Sequence, residues 1–105
     1  MTNPFRGEVT LTLNGEPQVM RLTLGALVTL EDAVGPIASL IERFEAGTAS
    51  PRDVAAVLLA GLKACEWSGD ATMLNAASIE GGYLGAVNAA VLLLRRGFGA
   101  GQDDN

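Results

Sequence analysis

The spacing of apolar residues changes period once along this chain, and that change limits the fold more than any other feature. Val9, Leu11 and Leu13 alternate with Glu8, Thr10 and Thr12, and Met20, Leu22 and Leu24 alternate with Arg21 and Thr23, the two-residue period of a half-buried strand. Between the two sets lies Asn14-Gly15-Glu16-Pro17. Asn-Gly accepts positive φ, and Pro17 punctuates the turn while removing a ladder donor at its own position. Residues 8 to 24 therefore read as an antiparallel β-hairpin. After Leu24 the period becomes that of a helix. A lone hairpin is marginal in water, so the apolar face formed by Val9, Leu11, Leu13, Met20 and Leu22 must be covered by the helical remainder of the chain. The fold class is α+β: an N-terminal antiparallel β-hairpin packed on a bundle of four to five short α-helices.

Leu27, Leu30 and Val34 mark one face of a first helix, with Glu31 and Asp32 outward and Gly35 placed as its left-handed C-cap. Pro36 begins a second. There Ile37, Leu40, Ile41 and Phe44 share a face, and Glu42, Arg43 and Glu45 take the solvated side before Gly47. Ser50-Pro51-Arg52-Asp53 has the chemistry of a helix start: a capping hydroxyl, a proline where no donor is needed, and a carboxylate at the positive end of the dipole. This third helix runs to about Glu66, with Val54, Val57, Leu58, Gly61, Leu62 and Cys65 on its buried stripe. Ser68-Gly69-Asp70 ends it. Asp70 or Thr72 caps a fourth helix reaching Glu80, and a fifth runs from Tyr83 to about Arg96. Gly81-Gly82 either kinks one helix or separates two. The expected layout is one domain over residues 1–98 and a disordered, Gly-rich acidic tail over 99–105.

With 105 residues the chain has room for one core. Its 12 Asp and Glu against 7 Lys and Arg leave a net charge of −5, a field that repels phosphate backbones and anionic headgroups and argues against nucleic-acid or membrane partners. Residues 1 to 20 carry no basic segment followed by an apolar one. The most apolar stretch, Tyr83 to Leu94, is interrupted by Gly85 and Asn88 and falls short of the roughly 20 residues that span a bilayer. The expectation is a soluble, cytoplasmic protein.

Histidine is absent and Cys65 is the single cysteine, which removes the commonest general base, the commonest zinc ligand and any intrachain disulfide. Glu31 and Asp32 diverge on a helix, and Glu42 and Glu45 share a face with no third ligand at a suitable spacing. Gly81-Gly82-Tyr83-Leu84-Gly85 lacks the preceding strand and the Lys-Ser/Thr ending of a phosphate loop. No nucleophile, base and oxyanion site assemble, so neither an enzyme nor a metal or other cofactor is expected.

What remains is surface. Ala86 to Leu94 holds eight apolar residues in nine, more than the three or four per two turns that one buried stripe requires. The excess points to a partner surface around Tyr83, Val87, Val91 and Leu94, with Trp67 near its rim as either an interface anchor or a lid on the small core.

The opening Asn3-Pro4-Phe5-Arg6-Gly7-Glu8-Val9, the hairpin Leu11-Thr12-Leu13-Asn14-Gly15 and the subsequent Leu22-Thr23-Leu24-Gly25-Ala26-Leu27-Val28-Thr29-Leu30-Glu31 resemble a small family encoded in gene transfer agents and related phage tail clusters. Its members are described as tail tube or tail assembly proteins. The resemblance implies a non-enzymatic tail morphogenesis protein: a tail assembly chaperone that binds tube or tape-measure subunits through apolar helical surface. The alternative it implies is a structural tail tube or head-to-tail component of a gene transfer agent or prophage particle, self-associated in a homo-oligomeric ring. It brings no catalytic residues, cofactor or small-molecule substrate.

Overall fold

A computed structural model describes residues 7–98, so the expected tail over 99–105 and the Asn3 to Arg6 part of the opening motif lie outside the described residues. Asn14 and Gly15 both take positive φ, 52° and 83°, and make a two-residue turn between β1 (Val9–Leu13) and β2 (Glu16–Met20). The strands pair antiparallel from Leu13 opposite Glu16 to Val9 opposite Met20. This register sets Pro17 opposite Thr12, one position from the bonded Leu13–Glu16 pair, where the backbone of each strand points away from the other. The missing proline donor therefore breaks no ladder bond and faces the outer edge of β2.

The second strand is shorter than its alternating pattern. Leu24, expected at its end, instead opens α1 (Leu24–Val34) and is 79% exposed. The reason is local: Thr23 caps the helix, its hydroxyl accepting the Ala26 N–H at 3.1 Å. The rest of the expected apolar face is in place, with Val9, Leu11, Leu13, Met20 and Leu22 all buried.

Four more helices follow among the described residues: α2 (Ile37–Ala46), α3 (Pro51–Ala64), α4 (Ala71–Ala76) and α5 (Gly82–Gly97). Ser50 and Asp53 close a reciprocal capping box at the start of α3, and Asp70, not Thr72, caps α4 by accepting the Met73 N–H at 2.9 Å. Cys65 lies just past α3 and is half-buried. Arg43, expected in solvent, turns to the first turn of α3. Helix α4 stops at Ala76 rather than at Glu80, because the next residues are drawn into extended pairing with β1. The Asn14 N–H donates to the Ser78 carbonyl at 2.7 Å and the Glu80 N–H to the Thr12 carbonyl at 3.1 Å, flanking a bridge between Leu13 and Ile79. The Thr12 carbonyl of β1 and the Asn14 N–H of the turn need partners outside the β1–β2 ladder, and an extended segment supplies them where another helical turn would not. Gly81-Gly82 thus separates two helices.

The hairpin and all five helices enclose one apolar cluster, in which Met20, Leu30, Leu40, Leu58, Leu62 and Leu93 are sealed from solvent. Helix α3 is its axis, packing against α1, α4, α5 and β2. Gly61 marks a close crossing of α3 with α5 and β2. A Cβ there would sit 2.9 Å from a Leu93 methyl and 3.0 Å from the Met20 Cβ, and its carbonyl accepts the Arg21 N–H at 3.1 Å.

Candidate partner-binding surface

The five residues marked for a partner do not share one surface. Tyr83 is 52% exposed in the first turn of α5, beside Leu84 at 73%. Val87 and Val91, one and two turns along, are half-buried, and Leu94 lies in the core at 6%. The cause is the position of α5, which packs on both α3 and β1 and so uses more than one stripe. Ala86, Ala89, Ala90 and Leu93 are all consumed there, leaving most of the apolar display at the helix start.

Trp67 stands apart from the α5 residues. Its half-buried indole covers Gly69 so closely that a Cβ on Gly69 would overlap the ring. Lys63 locks the same turn, its ammonium donating to the Gly69 carbonyl at 3.0 Å. Trp67 lines a depression of about 440 Å³ together with Leu13, Gln18, Cys65 and Met73. Val91 and Leu94 line a different one, about 410 Å³, with Ile41, Phe44 and Phe98.

A groove of about 800 Å³ runs between α1, α3 and α4. Thr29 and Ala33 of α1 form one wall, Leu74 and Asn75 of α4 another, and Ala56 and Ala60 of α3 the floor. Arg52 and Lys63 lie along the α3 side, and no Asp or Glu lines the groove. The sequence reading missed this surface. A signal was present: beside the buried stripe of α3 runs a second one of small residues, with Ala55, Ala56 and Ala60 between the two cations and Ala64 just past Lys63.

Among the described residues no group of three or more His, Cys, Asp or Glu is arranged to hold a metal ion. The half-exposed Arg43 guanidinium hydrogen-bonds the Asp53 carboxyl and holds it below the usual carboxylate range, against the opposing effect of burial. No single described helix is long and apolar enough to cross a membrane. Helices α1 and α2 reach that length only as a pair bent by 76°, and each buries a leucine, Leu30 and Leu40, in the core.

A family model described as phage tail tube protein, GTA-gp10, matches residues 6–100. No curated protein and no solved structure matches the chain.

Proposed function

Because this chain belongs to the GTA-gp10 family of phage tail tube proteins, we propose that it serves tail morphogenesis as an assembly chaperone, holding apolar surfaces of tube or tape-measure subunits until they polymerise. The observation that carries this reading is the contrast between strand edges and helix surfaces. A ring built by pairing hairpins needs open strand edges. Here residues 78–80 occupy the outer edge of β1 beside the turn, and Pro17 removes a donor from the outer edge of β2. Meanwhile Leu24, Val28, Tyr83 and Leu84 are exposed on helices, as apolar docking requires. The protein acts by binding rather than by catalysis, in the cell that makes the particle.

The family's description favours a second reading, a permanent component of the tube or of the head-to-tail junction, self-associated through its helices. Mass spectrometry of purified particles separates the two. A chaperone is abundant in producing cells and absent from finished particles, and its deletion stops tail formation. Detection at a stoichiometric, ring-like copy number overturns the chaperone reading in favour of the structural one.

A further inference from the structure

We propose that the groove between α1, α3 and α4 receives one helix of another tail protein, apolar and small-featured on the docking face and carrying two carboxylates about three turns apart. The proposal rests on the morphogenesis reading and names the chemistry of the partner. Arg52 and Lys63 are eleven residues apart on α3, which places them on one face about 16 Å from each other at 1.5 Å per residue. Between them lie Ala55, Ala56 and Ala60, side chains short enough to let a second backbone approach to about 8–10 Å, the spacing of packed helices, with Leu59 as the bulky apolar contact among them. A small molecule is a poor occupant. Its pockets gather polar groups around one point, whereas here the charged groups stand at opposite ends of an open, alanine-rich trough. Apolar floor with charged ends is the pattern of a groove that takes a helix.

The sign of the partner is set by charge complementarity. The chain has 12 acidic residues against 7 basic ones, yet the groove has two cations and no carboxylate among its lining residues. Arg52 is the more telling of the two. It lies in the first turn of α3, where a cation opposes the helix dipole, and its side chain has no hydrogen-bond or ion-pair partner among the described residues. An incoming carboxylate meets the Arg52 guanidinium at this end of the groove. Lys63, already bonded to the Gly69 carbonyl, is held in place at the far end. The overall negative charge of the chain does not prevent this, because repulsion between remote charges is screened beyond about 8 Å at physiological salt.

The test uses the full chain and a synthetic helical peptide of about five turns, with an Ala/Leu face and two Glu eleven positions apart, beside a twin in which both Glu are Lys. The acidic peptide is expected to bind at least about tenfold tighter than its twin, and to shift the amide resonances of Ala56, Ala60 and Leu74. Arg52→Glu, at an exposed position outside the capping box, should leave the fold intact, with a melting temperature no lower than the parent's because an anion suits the first turn, and remove that preference. Thr29→Trp, on the groove wall, should weaken binding of the acidic peptide without a change of charge. Equal binding of the two peptides, shifts confined to other surfaces, or no binding would overturn the groove assignment while leaving the chaperone reading standing. That reading fails separately if cells lacking the protein still assemble complete tails.

Discussion

Arg43 of α2 and Asp53 of α3 meet in a two-pronged ion pair, with Nε donating to Oδ2 at 2.9 Å and Nη2 to Oδ1 at 3.0 Å. The same Oδ2 accepts the Ser50 N–H at 3.0 Å, and the Asp53 N–H donates to the Ser50 hydroxyl at 3.1 Å. One carboxylate therefore closes the capping box of α3 and fastens α2 to it. Buried as it is, Asp53 would be costly without that guanidinium.

The pair makes stability depend on pH in a definite direction. The folded pKa of Asp53 is depressed, so its contribution is fully present above the unfolded value of about 3.9 and is lost as pH falls through the lower folded value. Arg43→Ala should lower the urea midpoint at neutral pH, and the gap from the parent should close in the acid range. Arg43→Lys should fall between the two, since an ammonium keeps the charge without the fork. A gap that persists at low pH would assign the loss to the packing of the arginine stem instead.

Leu11 faces the helices from the centre of β1 and is buried. Leu11→Asp should abolish cooperative folding, because an unpaired buried carboxylate costs several kcal/mol, about the whole stability of a small domain. Thermal unfolding followed by circular dichroism reads the result directly.

A Cβ on Gly85 would overlap the carbonyl oxygen of Glu80, the residue that leads from the β1 edge into α5. Gly85→Ala should therefore destabilise by about 1–3 kcal/mol, although alanine is the better helix former. Gly25→Ala in the first turn of α1, where a Cβ meets nothing closer than the Thr23 hydroxyl at 3.9 Å, should be neutral or stabilising by about 0.5–1 kcal/mol. Opposite signs in chemical denaturation distinguish close approach from helix propensity.

Tyr83 and Leu84 are exposed at the start of α5. Tyr83→Glu with Leu84→Lys should keep stability within about 0.5 kcal/mol per substitution, as surface changes do, while weakening co-purification with tail subunits. Retained co-purification together with loss in Arg52→Glu would move the contact entirely to the groove.

Local chemistry settled much of this molecule. The Asn14-Gly15 turn, the buried alternation of Val9, Leu11 and Leu13, and the Ser50-Pro51-x-Asp53 start of α3 depend on residues a few positions apart, so they are legible in the chain itself. The resemblance carried by the opening segment, the hairpin and the start of the first helix was met by the family match. Where distant segments meet, the tertiary structure decided. Ile79 leaves the helical pattern because the edge of β1 needs hydrogen bonds, and Arg43 leaves solvent because Asp53, ten residues on, lies beside it after α2 and α3 pack. Leu94 is buried because α5 touches both α3 and the hairpin, a demand that no single-helix periodicity records. The groove between α1, α3 and α4 obeys the same logic. Each helix supplies one modest face, and only their packing turns three faces into a concave surface with a cation toward each end.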